Sequence, residues 1–118
     1  MTQKTKIESY SFGKITINGK SYTDDIVVFP ERVSPQWWRG EGHSLSMEDL
    51  SEVLDFHPDQ LVVGTGNSGS MNVPRSTIDR LEEEGFKVTC RPTGEAIKIF
   101  NRKNSEGENV VGAFHLTC

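Results

Sequence analysis

The stretch Gln60-Leu61-Val62-Val63-Gly64-Thr65-Gly66-Asn67-Ser68-Gly69 decides how this chain is read. Leu61-Val62-Val63 form a short apolar run, the mark of a strand buried on both faces. The glycines that follow spell GxGxxG, the string of dinucleotide-binding proteins. That fingerprint requires its third glycine in the first turn of a helix, so that a pyrophosphate rests on the helix N-terminus. Here the next helix start is at Pro74, beyond Ser70-Met71-Asn72-Val73, and Phe86 to Arg91 offers no acidic residue for a ribose. Too little chain remains for a full dinucleotide domain, and neither NAD nor FAD is expected. The glycines are read first as a tight strand-to-helix turn that needs positive φ. A nest of backbone N–H groups that takes an anion is the second reading.

Outward from this stretch, the pattern alternates. Upstream, Lys14-Ile15-Thr16-Ile17 and Lys20-Ser21-Tyr22 flank Asn18-Gly19, the pair that favours a type I′ hairpin. Ile26-Val27-Val28-Phe29 reads as a further strand or an extension of this ribbon, ended by Pro30. Residues 30–45 lack periodicity, and the adjacent Trp37 and Trp38 are placed to pin them. Ser46 caps a helix carrying Met47, Leu50 and Leu54 on one face and ending before Pro58. Downstream, Pro74 opens a helix with Ile78 and Leu81 inward, Glu82, Glu83 and Glu84 outward, and Gly85 behind it. Phe86 to Cys90 is a strand, Thr93 caps a third helix with Ala96, Ile97 and Phe100 on one face, and Asn109 to Leu116 closes the chain as a strand. The fold class is α/β: a three-layer arrangement with a central mixed, largely parallel sheet, flanking helices and an N-terminal β-ribbon. Residues 1–6 are expected to fray, and 7–118 to form a single domain.

Composition narrows the function classes. Leu, Ile, Val and Phe make up about a quarter of the chain, above the roughly one-fifth below which disorder sets in. The formal net charge is -4, and no Lys/Arg cluster offers phosphates a basic face, so nucleic acid is not an expected partner. No apolar window approaches a membrane span, and Met1 to Tyr10 holds no apolar stretch of the kind that opens a signal peptide, so a cytoplasmic location is expected. Cys90 and Cys118 have no metal-ligand spacing, and the three histidines are scattered, so no metal is expected.

Two places concentrate chemistry-bearing residues. Trp38, Arg39, Glu41 and His43 bring an aromatic, a bidentate cation, an acid and a titratable base together, a set that can close over a carboxylate or phosphate. The plainer reading has the tryptophans filling core and Arg39 pairing with Glu41 or a helix end. In the glycine loop, Gly64, Thr65, Gly66, Asn67 and Ser68 would supply donors. Gly66-Asn67-Ser68-Gly69-Ser70 falls one glycine short of the GxSxG elbow, and no acid is marked as third member beside His115.

Four stretches taken in order carry a family resemblance: Phe12-Gly13 with Ile15 and Tyr22; Trp38-Arg39 with His43; Leu61 to Gly66 with Val73-Pro74; and Thr93 with Ala96, Asn101 and the tail His115-Leu116-Thr117-Cys118. Together they resemble the Mth938-like domain family over nearly the whole chain. The resemblance implies a three-layer α/β fold with an added ribbon. It carries no catalytic residues, and its mitochondrial members, which include a complex I assembly factor, imply a protein-binding role. The favoured expectation is therefore a small non-enzymatic interaction or assembly module with a protein partner or as a homodimer, and with no cofactor. The alternative is a small-molecule or anion site, enzymatic or not, at residues 64–69, closed by Arg39 and His43.

Overall fold

The computed structural model describes residues 4–37 and 44–117. The Asn18-Gly19 signal forms as expected: both residues hold positive φ, 48° and 82°, and join β2 (Lys14–Ile17) to β3 (Lys20–Tyr22). A strand that the pattern did not announce, β1 (Ile7–Ser11), pairs antiparallel with β2 and makes the ribbon a three-stranded sheet. It escapes notice because only Ile7 of its five residues is buried. Residues 4–6 are tied down rather than frayed. Thr5 is buried, its hydroxyl donates to the Phe29 carbonyl at 2.6 Å, and the Asn104 amide donates to the Thr5 carbonyl at 3.0 Å.

The second sheet has five strands in the order β5 (Val33–Ser34), β4 (Ile26–Val28), β8 (Val110–His115), β6 (Gln60–Thr65), β7 (Lys87–Arg91). The pairs β6–β7 and β6–β8 are parallel, while β4–β8 and β4–β5 are antiparallel. The sheet is thus mixed in equal parts, not largely parallel. The cause lies in Ile26–Val28, which leaves the ribbon to pair with the last strand. No helix of the described residues is long and apolar enough to cross a membrane.

Strand alternation divides the core. Val62, Ile26, Val28, Val110 and Phe114 point to one face, where α3 (Thr93–Ser105) brings Ala96, Ile97 and Phe100 and the ribbon brings Ile7, Ile15 and Ile17. Leu61, Val63, Val27, Val111 and Ala113 point to the other, against Leu50, Val53, Met71, Leu81 and Phe86. The run of residues 61–65 is buried on both sides because a helix follows it on one face and another crosses it on the opposite face.

The helices begin differently from the pattern. Residues after Ser46 form a 3₁₀ turn (Met47–Leu50) before α1 (Ser51–Phe56), with the Ser46 N–H and hydroxyl both on the Asp49 carboxylate at 3.0 Å. Helix α1 stops where His57 adopts a left-handed φ of 53° ahead of Pro58. In α2 (Arg75–Glu83) Pro74 sits one position before the helix, and Thr77 rather than Ile78 is buried beside Leu81. The Thr77 hydroxyl bonds the Leu45 carbonyl at 3.1 Å, which carries a polar side chain into that face at no loss.

Candidate functional site

Strands β6 and β7 lie side by side and parallel, yet α2 after β6 packs on one face and α3 after β7 on the other. Their carboxyl ends therefore form a switch point, where open α/β sheets leave a crevice for ligands. A cavity of about 350 Å³ occupies this place. Thr65, Ser68 and Arg91 line it with polar atoms; Met71, Val73, Ile78, Pro92 and the half-buried Cys90 give it apolar walls. Residues of both helix starts border it, so two helix N-termini contribute partial positive charge, about half an elementary charge each.

The glycine loop beside the crevice is held by its own bonds. Gly64 lies inside β6, and a Cβ there would stand 2.8 Å from both the Phe114 ring and the Thr93 hydroxyl. Gly66 (φ 107°) and Gly69 (φ 74°) take conformations that other residues rarely adopt. The Gly66 N–H donates to Thr93 Oγ1 at 2.9 Å, and that hydroxyl donates onward to the His115 carbonyl at 2.6 Å. Thr93 is thus the first residue of α3 and a tie among three segments, rather than a helix cap. The Asn67 N–H reaches the Thr117 carbonyl at 3.3 Å, and the Gly69 N–H reaches the Gly66 carbonyl at 3.1 Å. Gly66, Asn67 and Gly69 consequently have no N–H left for an anion. Gly69 also ends a turn well before α2, so the dinucleotide fingerprint geometry is not formed.

At the same edge a second polar group assembles from residues far apart in the chain. The Asp25 carboxylate accepts from the Leu116 N–H at 2.8 Å and lies 2.7 Å from His115 Nδ1. The Tyr10 hydroxyl donates to the Leu116 carbonyl at 3.0 Å and meets Asn67 Oδ1 at 3.4 Å. Burial, and then the nearby Asp25 charge, raises the Tyr10 phenol above its ordinary range. His115, considered as a hydrolase base, is enclosed at 5 % exposure and held by Asp25. Asp25 is the acid that no pattern marked.

Arg39 and His43, with Trp38 and Glu41, lie outside the described residues. Both flanks of their segment are anchored at this edge. The Trp37 N–H donates to the Asp25 carbonyl at 2.7 Å and its indole to the Asp49 carbonyl at 2.8 Å. Ser44 forms a parallel bridge with Asn72, and the Leu45 N–H reaches the Asn72 carbonyl at 2.9 Å.

Sequence reasoning missed Cys90 and Arg91 as site residues. They sit beside the glycine loop only through the parallel register, which sets Val63 against Cys90 and Gly64 against Arg91. Burial pushes the Cys90 thiol up, and the opposing pull of the Arg91 charge is smaller. The folded state therefore favours the protonated thiol. Alkylation of Cys90 in a Cys118→Ser background should run slowly at neutral pH and accelerate only above the free-thiol range of about 8.5. Over the same alkaline window the fold loses stability, because the unfolded chain releases this proton first. A rate midpoint at or below that of the denatured chain would contradict this placement.

A larger groove of about 500 Å³ lies between the N-terminal arm and the end of α3, lined by Lys4, Lys6 and Arg102 among others. It faces the negative end of the helix, where Lys4 Nζ already donates to the Asn104 carbonyl at 2.9 Å. Among the described residues no group of three metal-ligating side chains comes together.

Comparison with known proteins places the molecule. The family described as "Protein of unknown function (DUF498/DUF598)" matches residues 7–115. The conserved hypothetical protein PH1505 from Pyrococcus horikoshii is 30% identical, with a TM-score of 0.84 over 96% of this chain and 99% of its own. The protein MT938 is also 30% identical, with a TM-score of 0.80 over 97% and 99%. A Mth938-like domain from Bordetella pertussis, 20% identical, shares the fold with a TM-score of 0.78 over 95% and 85%.

Proposed function

The chain belongs to the DUF498/DUF598 family of proteins of unknown function, the Mth938-like fold, and on that premise we propose that it is a binding domain for a small organic molecule, seated in the crevice between β6 and β7. The observation that carries this reading is the cavity at the switch point, which joins apolar walls to a cation and a hydroxyl. Its volume falls in the range of small-ligand pockets, roughly 300–1,000 Å³. The site of the glycine loop alternative moves with it: the backbone of Gly66, Asn67 and Gly69 is tied up in a structural turn, and the ligand-facing groups are Ser68 of the loop, its neighbour Arg91 and the apolar wall. Binding rather than catalysis fits a thiol held protonated and a histidine enclosed at 5 % exposure.

A protein-interaction module is the competing reading, drawn from the assembly-factor resemblance. Among the described residues the large apolar side chains that stand exposed are Phe12, in the β1–β2 turn, and Phe56, at the end of α1. Phe56 is also engaged edge-on with Phe29 at 5.1 Å. Two aromatics on separate elements give a docking partner less than the crevice gives a ligand.

A thermal-shift screen against carboxylates, phosphate esters, nucleotides and neutral metabolites tests the proposal. A ligand present at 100 times its dissociation constant adds about 2.7 kcal/mol, enough for a rise on the order of 10 °C in a domain of this size. A hit that is lost when Ile78→Glu fills the crevice mouth supports the reading. A screen with no hit, on protein that captures a partner through the Phe12 turn, overturns it.

A further inference from the structure

The same crevice constrains what it can hold, and this step rests on the reading above. We propose that its ligand is a small carboxylic acid with a short branched apolar body, its carboxylate held by Arg91 and Ser68.

The donor count decides the head group. A phosphate in a glycine loop is held by several backbone N–H groups, but those of Gly66, Asn67 and Gly69 are committed to Thr93, Thr117 and Gly66. The Thr65 hydroxyl spends its proton on the Arg91 carbonyl at 3.1 Å, so Thr65 can only accept. What remains at the lining is one guanidinium, the Ser68 hydroxyl and the Ser68 N–H, a set that matches a two-oxygen carboxylate and falls short of the several backbone N–H groups that hold a phosphate dianion. Arg91 is exposed and has no carboxylate within ion-pair distance among the described residues. Its Nη1 donates to the Cys90 carbonyl at 2.8 Å, which folds the side chain back over its own strand at the crevice. That leaves the Nε–Nη2 edge of the planar fork for two carboxylate oxygens.

The walls decide the body. Met71, Val73, Ile78, Pro92 and Cys90 supply the apolar part of the lining. The thiol, protonated at neutral pH, behaves as a small apolar group there. A cavity of about 350 Å³ admits a body of a few carbons.

Three matched probes test this: isovalerate, isobutyl phosphate and isovaleramide. Each is assayed by thermal shift and by protection of Cys90 from alkylation in the Cys118→Ser protein. Isovalerate should protect Cys90 and raise the melting temperature, with the amide inert and the phosphate weaker. Arg91→Gln should weaken isovalerate by about 10- to 100-fold, as loss of a charge-assisted pair does, and leave the unliganded melting temperature nearly unchanged. Arg91→Lys should recover little, because an ammonium lacks the fork. Equal binding of the amide or the phosphate, or an Arg91→Gln protein that binds isovalerate normally, overturns the carboxylate assignment and leaves the crevice standing. If these probes fail to shield Cys90 and nothing in the wider screen does so either, both this inference and the proposed function fall.

Discussion

Truncation of Phe114 to alanine is expected to remove about 3–5 kcal/mol of folding free energy, the range for a buried aromatic. Phe114 is fully buried, meets Phe100 edge-to-face at 6.0 Å, and covers two strand glycines at once. A Cβ on Gly112 would stand 2.4 Å from the Phe114 ring, and one on Gly64 would stand 2.8 Å from it. Against a total stability of roughly 5–15 kcal/mol, the loss should lower the melting temperature by on the order of 10–25 °C. The neighbouring glycine supplies a sharper check. Gly112→Ala in the wild-type background should cost about 1–3 kcal/mol by overpacking. In the Phe114→Ala background the clash with that ring is gone and the Phe100 ring, 3.1 Å from the new methyl, need give only slightly, while alanine in a strand is preferred over glycine by about 0.5–1 kcal/mol. The double-mutant cycle in chemical denaturation should therefore show a coupling above 1 kcal/mol or so. Additive losses would mean that the ring and the glycine do not share this space.

The second large effect is expected at Asp25. Its carboxylate serves the Leu116 N–H and the His115 ring together, and its carbonyl receives the Trp37 N–H. Asp25→Ala leaves a buried N–H and a buried imidazole without this acceptor, at a cost of about 2–4 kcal/mol. Asp25→Asn keeps one oxygen for Leu116 and should lose roughly half as much. The measurement is equilibrium unfolding in urea, with hydrogen exchange at Leu116 read alongside. A loss within about 0.5 kcal/mol of zero for alanine, the size of an ordinary surface change, would show that the carboxylate does not join the start of β4 to the end of β8.

Most of the fold is legible because the deciding residues act locally. Asn18-Gly19 needs only its own backbone to announce a hairpin. The run Leu61-Val62-Val63 is apolar because both faces of its strand are covered, and Ala96, Ile97 and Phe100 repeat at helical spacing because α3 buries one side. The misses share a different cause. Strand β1 buries one side chain of five and leaves no pattern. Strand β5 has two residues, Val33–Ser34, and exists only through its pairing with β4. The antiparallel half of the sheet follows from β4 meeting β8 across more than eighty residues, which no periodicity encodes.

The site is less legible than the fold for the same reason. The glycine loop could be found by its string, but the string carries no record of whether its N–H groups are spent on Thr93 and Thr117. Cys90 and Arg91 read as ordinary strand-end residues until the register sets them beside Val63 and Gly64. Asp25 and His115 are separated by most of the chain, and only the fold makes them a pair.

The central claim is that the crevice between β6 and β7 is where this molecule meets its ligand. Two-dimensional amide NMR, with the best ligand from the thermal screen titrated into labelled protein, tests it most directly. Saturable shifts should centre on residues 65, 68–71 and 90–91, with the ribbon and the groove at Lys4 and Arg102 unmoved. Shifts centred on Phe12, on Phe56 or on that groove, with residues 65–71 and 90–91 silent, would contradict it.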